Sequence, residues 1–401
     1  MYINLILAQT LSKYMQLIEV KNASDIKDFH QVPFIIYKNT PQWIPHLKQD
    51  VEKVFDPEKN KLFKESGEAI RWLLRSERGE LIGRVAAFFH PKTANSFDQP
   101  TGGIGFFECI NDELAAYRLF DCCKNWLQSK GMEAMDGPVN FGDRNQFWGL
   151  QIDRFDEPPI YPLNFHQPYY QPFFESYGFQ DYFKQFVFWR DITIPAQPIF
   201  IRKYNQLKDN PDFGMSNIRG KSIKKIAEDF RVVYNGAWAG LEHFKEMKPE
   251  TALKLIKSMK AAFDPDLVIF IYHQNKPVAF YINLPELNQI FRYVKGNLNW
   301  LGKLIFLYHK IKKTPTRMTG VVFGVVKEWQ GKGLEAALIV YAEKTIVPKG
   351  HYKDTVLTWI GDFNPKMIKI TENLGATLHQ TFITYRYLFD RAKEFKRAPI
   401  Q

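Results

Sequence analysis

Cysteine and long apolar runs are both scarce in this sequence. Only Cys109, Cys122 and Cys123 occur among 401 residues, and their spacing fits neither a disulfide framework nor a metal site. We therefore expect a reducing, cytoplasmic setting and no metal. No apolar run reaches the roughly eighteen residues that a membrane-spanning helix needs. Residues 1–14 are partly apolar but lack a basic leader, which predicts an N-terminal extension without a structural role.

Low-complexity sequence is also absent, and the composition is that of a globular protein. A chain of 401 residues exceeds one ordinary core, so we expect two domains. The net charge of +11 suits a nucleotide-bearing cofactor, an anionic membrane surface or nucleic acid, or it reflects only a lysine-rich surface. The aromatic content of 15% indicates either aromatic-rich cores or a cleft for a large apolar ligand.

The most informative motif is Gln330–Glu335, which reads Gln-Gly-Lys-Gly-Leu-Glu. It follows an apolar run at 319–326, predicted to be a buried strand, and precedes apolar residues at helical spacing. Gly331 and Gly333 let the backbone approach a ligand closely. The start of a helix offers free N–H groups to an anion, and Lys332 adds a positive charge. The motif therefore predicts a phosphate or pyrophosphate site.

The chain repeats one order of elements: a strand pair, a third strand, a helix, a further strand, a short helix and a long last strand. Prolines at 195, 198 and 211 predict the boundary, giving a first half at 15–200 and a second half at 201–401. The elements predicted for the first half are strands at 70–75, 81–89, 103–109 and 183–191, a helix at 113–128, a strand or loop at 135–139 and a short helix within 171–179. Those predicted for the second half are strands at 267–273, 277–284, 316–326, 356–360 and 380–389 and helices from the glycine turn to 344 and at 365–373.

With these elements in this order, the second half resembles the GNAT superfamily of acyl-CoA N-acyltransferases. Its motif Arg/Gln-x-x-Gly-x-Gly/Ala is matched by the first five residues of Gln330–Glu335. Trp359–Asp362 stands where the fifth strand of that family separates from the fourth. Glu335 departs from the pattern, and a carboxylate beside a pyrophosphate costs Coulomb energy.

The first half resembles the same fold without the phosphate site. After its third predicted strand come Ile110, Asn111, Asp112 and Glu113, which place two carboxylates where an anion would bind. The resemblance implies two tandem GNAT-like domains with a degenerate N-terminal copy that shapes the acceptor site. The expected fold class is α+β in three layers, with a mixed, mostly antiparallel sheet flanked by helices in each domain.

The resemblance also implies acyl-CoA, with an acetyl or longer acyl group, as co-substrate. The residues expected to bind it are Val325 and Val326 at the thioester carbonyl, Gln330, Gly331, Lys332, Gly333 and Leu334 at the pyrophosphate, and Asn364 at the pantetheine arm. Asp362, Glu286 and Glu328 are candidate bases, and Glu328 is expected to be solvated. The helix at 366–373 lacks the tyrosine that often serves as general acid, so Tyr385 and Tyr387 are substitutes or simply strand packing.

Two aromatic loops, 140–149 and 158–174, predict an acceptor cleft between the halves for a small or lipid-like amine. Alternatively, their aromatic side chains fill the interface. The lysine-rich run 303–313 is either an amphipathic insertion that lies on an anionic membrane or a solvated helix face.

Three functions remain open from the sequence. The first is transfer of an acyl group from acyl-CoA to a primary amine. The second is a non-catalytic module that binds CoA, nucleotides or lipids, favoured by Glu335 and the missing tyrosine. The third is an aminoacyl-tRNA-dependent transferase, which the basic charge allows. No motif supports specific nucleic-acid binding, and acyl length, acceptor and oligomeric state are left open.

Overall fold

In the part of the chain that the structure describes, thirteen strands form one continuous sheet with helices on both faces. The computed structural model describes residues 15–95, 98–239 and 245–400. The predicted extension at 1–14 lies outside these residues. The strands are β1 (Gln16–Glu19), β2 (Glu68–Arg75), β3 (Leu81–Phe89), β4 (Thr101–Cys109), β5 (Ala134–Gly137), β6 (Leu150–Gln151), β7 (Gln180–Asp191), β8 (Phe213–Asn217), β9 (Val268–His273), β10 (Lys276–Pro285), β11 (Arg317–Val325), β12 (Asp354–Gly361) and β13 (Thr377–Leu388).

The helices of the described residues flank this sheet. They are α1 (Ala23–Ile36), α2 (Lys48–Phe55), α3 (Lys61–Lys64), α4 (Pro91–Ala94), α5 (Glu113–Ser129), α6 (Tyr170–Tyr177), α7 (Pro198–Lys208), α8 (Ile223–Trp238), α9 (Pro249–Met259), α10 (Asn288–Val294), α11 (Trp300–Ile311), α12 (Leu334–Ile346) and α13 (Pro365–Asn373). None of them is both long and apolar enough to cross a bilayer.

The strand order is β1-β2-β3-β4-β5-β13-β7-β12-β11-β10-β9-β8, and β6 pairs with β13. All neighbours are antiparallel except β4 with β5 and β11 with β12. The predicted α+β class, with a mixed, mostly antiparallel sheet and flanking helices, is confirmed.

The two halves exchange their last strands at the centre of the sheet. β13, from the second half, pairs with β5 of the first half, where Tyr385 lies opposite Gly137. β7, from the first half, pairs with β12 of the second half, where Trp189 lies opposite Val356. The division of the chain near residue 200 stays a prediction, and each half needs a strand from the other.

Helical spacing places the apolar face of each major helix on the sheet. In α5, Leu119, Phe120 and Leu127 are fully buried in the first core. In α12, Leu334 and Leu338 are buried in an equivalent core of the second half. The predicted helices therefore form for the expected reason, which is burial of one apolar stripe.

The segment between β10 and β11 folds into α10 and α11. Phe291 of α10 and Phe306 of α11 pack on Ile44 and Leu47, which precede α2. The insertion is thus anchored to the first half, although it belongs to the second in sequence.

Candidate functional site

A V-shaped opening lies between the parallel strands β11 and β12. Their pairing ends at Gly320 and Leu357. Just beyond, β11 bulges against β10, which leaves Val321 without a direct partner. β12 is irregular at the same level, where Trp359 has a positive φ of 61°. Bulges bend strands and end pairing, so these two account for the separation.

Backbone groups of β11 face this opening. The N–H of Val326 donates to the carbonyl oxygen of Val278 at 2.9 Å, inside the sheet. Because successive residues of a strand direct their backbone groups to opposite edges, Val325 directs its N–H into the opening. Gln330 folds back to this edge, where its Nε2 donates to the carbonyl oxygen of Val325 at 3.0 Å. The structure thus places the backbone of Val325 at the opening. The amide of Val326, also expected there, is instead hydrogen-bonded to β10 inside the sheet.

The opening leads into a glycine turn and the start of α12. Gly331 and Gly333 have positive φ angles of 73° and 90°, which glycine adopts without strain. No described side chain caps α12. Its first N–H groups, beginning at Leu334, are therefore free to bind an anion. Gln330, Gly331 and Lys332 are exposed around this site.

Lys203 joins the site from α7, which packs against α12. A Cβ at Gly333 would lie 2.8 Å from Cδ of Lys203, so a side chain there would have to displace Lys203 in addition to straining the backbone. Lys332 lies nearby with its Nζ 4.7 Å from the centre of the Trp329 ring. Sequence reasoning missed Lys203 because it lies far earlier in the chain and belongs to no motif.

The equivalent place in the first half is filled by the protein itself. Asp112 caps α5, and its Oδ1 accepts hydrogen bonds from the N–H groups of Leu114 and Ala115 at 2.9 and 3.2 Å. The opening between β4 and β5 is closed by Val139, whose N–H donates to the carbonyl oxygen of Ile104 at 2.7 Å. The free helix start therefore distinguishes the second half from the first.

Glu286 lies at the end of β10 and is buried. Its Oε1 accepts from the N–H groups of Tyr161 and Asn288 at 2.9 and 3.0 Å, and its Oε2 accepts from Thr319 Oγ1 at 2.6 Å. Burial raises the pKa of its carboxyl group. Both oxygens thus tie the loop at Tyr161 to the sheet.

Asp362 directly follows β12. Its Oδ2 accepts from Nη2 of Arg397 at 2.7 Å, and the same Nη2 lies 3.1 Å from Oδ1 of Asp181. Glu328, by contrast, is exposed beside Trp329.

Tyr385 and Asn364 have other partners. Tyr385 lies in the first core and donates to Glu175 Oε1 at 2.8 Å, and burial raises its pKa. The structure thus does not bring Glu286, Asp362 and Tyr385 together. Asn364 caps α13, where its Oδ1 accepts from the N–H of Met367 at 3.1 Å.

A cleft of about 900 Å³ lies on the face of the sheet beside the end of β12. One wall is the loop predicted for the acceptor, represented by Asn140, Arg144 and Trp148. Phe363, which follows Asp362, also lines the cleft, with its ring centre 5.3 Å from that of Phe183. Phe363 thus places the end of β12 beside the cleft, whereas none of the described residues that line it belongs to β11 or to the glycine turn.

The aromatic side chains of the loop at 158–174 are largely interior. Phe165, His166 and Tyr170 are buried. His166 is a structural residue, since its Nδ1 accepts from the N–H of Gln151 at 3.1 Å. Among the described residues, no group of three or more His, Cys, Asp or Glu side chains is placed to hold a metal ion.

The residues around the opening fit a CoA-type ligand. A Cβ at Gly333 would crowd the Lys203 side chain, and the buried Nε1–H of Trp359 on β12 has no acceptor among the described residues. Two lysines and an uncapped helix provide the donors and positive charge that a pyrophosphate needs.

Comparison with solved structures identifies the architecture. A tandem GNAT protein from the clavulanic acid biosynthesis pathway superposes with a TM-score of 0.53 and 10% identity, covering 94% of this chain and 100% of that one. The chain has a tandem GNAT fold. A GCN5-related glucosamine N-acetyltransferase region of a fungal GH3 β-N-acetylglucosaminidase gives a TM-score of 0.52 at 11% identity, covering 93% of this chain and 38% of that longer protein.

Two curated proteins resemble the chain over nearly its whole length. Protein YghO of Escherichia coli K12 is 22% identical over 375 residues, covering 91% of this chain and 93% of that protein. A bacterial ceramide synthase of Caulobacter vibrioides is 23% identical over 392 residues, covering 92% of this chain and 97% of that protein. No family model matches the chain.

Proposed function

We propose that this tandem GNAT protein is an acyl-CoA-dependent N-acyltransferase whose acceptor is a long-chain primary amine. The observation that carries the proposal is the contrast between the two helix starts. α12 begins uncapped at a glycine turn beside the opening, whereas Asp112 occupies the same place in front of α5. One acyl-CoA site, in the second half, follows from that contrast, with the first copy degenerate for cofactor binding.

In this proposal the pyrophosphate of acyl-CoA binds at Gly331–Leu334, between Lys332 and Lys203. The pantetheine arm extends along the open edge of β11 and pairs with it as an added strand, beside the N–H of Val325. Glu335 lies on the first turn of α12 and is half-buried. The proposal requires its carboxylate to stay clear of the phosphates.

A long acyl chain suits the surroundings of the opening. Val321 on the bulge of β11 and Met367 and Ile370 on α13 are apolar and yet exposed. These side chains lie on β11 and on the helix that follows β12. Covering them with the acyl chain of a ligand would remove apolar surface from water, which is favourable.

The acceptor is proposed from the cleft and from the similarity to a ceramide synthase. That name describes attachment of a fatty acyl group to the amine of a long-chain base. The cleft combines polar groups, such as Asn140 and Arg144, with aromatic ones, such as Phe141 and Trp148. An amine with a polar head and a long apolar tail matches that combination.

The proposed reaction joins the amine nitrogen to the thioester carbon while the C–S bond breaks. The developing oxyanion is stabilised by backbone N–H of the open β11 edge. The amine proton passes to a carboxylate, and CoA leaves as the thiol after the thiolate takes up a proton. Asp362 is the preferred proton acceptor because it directly precedes Phe363, which lines the cleft, and because Arg397 donates to its Oδ2, whereas hydrogen bonds go to both Glu286 oxygens.

The test is to incubate the purified protein with a long-chain acyl-CoA and a long-chain amino alcohol. We expect stoichiometric release of CoA thiol and formation of the N-acyl amide, detected by mass spectrometry. CoA-induced thermal stabilisation without amide formation from any amine supports the binding module instead. Amide formation only with aminoacyl-tRNA supports the tRNA-dependent transferase. No stabilisation by saturating CoA contradicts the proposal.

A further inference from the structure

Helix α11 carries an apolar ridge that faces away from the protein. Of the sixteen large hydrophobic side chains that are exposed in the described part of the chain, six lie on this one helix. Their exposed fractions run from 50% to 73%. The six residues of the ridge are Trp300, Leu301, Leu304, Leu307, Tyr308 and Ile311.

Helix geometry places the ridge on one continuous stripe. At 3.6 residues per turn, the six side chains fall within an arc of about 120°. The opposite side holds Gly302, which is buried, and Ile305 and Phe306, which pack on α10 and the segment before α2. The helix therefore has its own inner face, and the ridge is a second apolar face.

Lysines flank the ridge, in a segment that is basic in sequence. The chain has eight Lys and Arg residues and no Asp or Glu between Glu286 and Glu328. Lys303 and Lys312 lie on opposite flanks of the stripe, and both are exposed. Lys312 Nζ lies 5.9 Å from the ring centre of Tyr308, at the edge of the stripe.

We propose that α11 docks the protein on an anionic lipid bilayer, with the ridge in the headgroup region and the flanking lysines on lipid phosphates. Trp and Tyr favour that region, and lysines on the flanks of an amphipathic helix attract anionic lipids. The helix has 12 residues, which is too short to span a bilayer but suits lying on one. Pairing two ridges about a two-fold axis brings like charges together, so a second copy of the chain fits less well.

Two helices, α2 and α9, connect the docking helix to the cleft. The N–H of Lys48, at the start of α2, donates to the carbonyl oxygen of Gly296 at 2.9 Å. Lys310 Nζ donates to the carbonyl oxygen of Ala261, just after α9, at 2.5 Å. The cleft is lined by Lys53 of α2 and Lys254 of α9. The docking helix is thus tied to two walls of the cleft. Entry of a bilayer-dissolved amine from that side rests on the proposed function, whereas docking itself does not.

The experiment is vesicle co-sedimentation of the full chain without any substrate. Vesicles of phosphatidylcholine alone are compared with vesicles that also contain phosphatidylglycerol. We expect the wild type to sediment with the anionic vesicles and to be released at high salt, because the charge attraction is screened. We expect Ile311→Glu to bind at least fivefold more weakly and the double variant Leu304→Glu/Ile311→Glu more weakly still.

The matched control is Ile194→Glu, the same change at a side chain that is 61% exposed and away from the ridge. It should bind like the wild type, and circular dichroism should show all variants folded. Equal vesicle binding by Ile311→Glu and wild type overturns the proposal, as does no binding by wild type. A lipid-free dimer that Ile311→Glu dissociates overturns it in favour of self-association. Acylation of a short, water-dissolved amine tests the proposed function separately.

Discussion

Arg386 and Asp136 form a buried bidentate ion pair that joins the last strand to the first half of the chain. Arg386 Nε donates to Asp136 Oδ1 at 2.7 Å, and Nη2 donates to Oδ2 at 2.8 Å. The guanidinium also lies 3.5 Å from the centre of the Tyr182 ring. The contact between β13 and β5 is thus held by charge as well as by the backbone ladder.

Arg386→Met should strongly destabilise the protein. It leaves the Asp136 carboxylate without its partner, and breaking a buried pair in this way costs about 3–5 kcal/mol of the free energy of unfolding. Urea denaturation measures the loss. Lys59→Met, which breaks an exposed pair with Asp56, serves as control and should change little. Equal midpoints for the two variants would contradict a structural role of the buried pair.

The lysines of the proposed pyrophosphate site should control CoA affinity. Replacing a phosphate-binding ammonium by a carboxylate weakens binding roughly tenfold or more, so we expect such a loss for Lys203→Glu and for Lys332→Glu. Isothermal titration with CoA measures it. Lys208→Glu makes the same charge change at an exposed position on α7 and should leave affinity within experimental error. If all three variants behave alike, only the net charge matters.

Gly333 and Gly331 offer a second comparison at this turn. Both have positive φ angles, so alanine costs about 1 kcal/mol of strain at either position. Only Gly333 also faces Lys203, whereas a Cβ at Gly331 meets nothing within 4 Å. We expect Gly333→Ala to lower the melting temperature and the CoA affinity more than Gly331→Ala. The reverse order would mean that α7 does not pack as described.

Asp362→Asn tests the proposed proton acceptor. General-base catalysis contributes at least about a hundredfold, so kcat should fall by roughly that factor, while KM for acyl-CoA changes little. Asp181→Asn is the control, because Asp181 shares Arg397 with Asp362. It disturbs the same ion-pair network without removing the proposed base. A similar fall in kcat for both would assign Asp362 a positioning role through Arg397.

His166 should make stability depend on pH. Burial lowers its pKa from 6.5 to about 3, so the folded protein holds the ring neutral while the unfolded chain takes up a proton below pH 6.5. Stability is therefore lost as the pH falls from 6.5 toward 3. Between pH 7.5 and 5.0 the wild type should lose about 2 kcal/mol more than His166→Gln. Urea denaturation at the two pH values measures this, and equal losses would contradict it.

Local patterns in the sequence predicted much of the fold and the position of the glycine turn. Alternation and helical spacing are properties of short segments, so β11 and α12 were predictable around Gly331 and Gly333. Asn364 was instead expected at the pantetheine arm, and the structure shows it capping α13, a role for which Asn before Pro is a common signal.

Features that depend on which strands pair, and on which helices pack together, were not predictable from local sequence. β7 and β13 are each 12 residues long and aromatic-rich, and nothing in either strand specifies which half it joins. The commitment of Val326 to the sheet depends on register, because a shift of one residue reverses which amides face the opening. Lys203 reaches the site only through the packing of α7 on α12.

The exchanged position of β13 bears on how the chain folds during synthesis. Ile383, Tyr385 and Tyr387 of β13 complete the core of the first half. These residues are synthesised after nearly all the rest of the chain. The core of the first half therefore lacks them while the second half is translated. We therefore expect the first half to complete its core only after the second half has been made, the reverse of the usual order in which the N-terminal domain folds first. We expect a truncation before residue 377 to leave the core of the first half incomplete, although every residue of that half is still present.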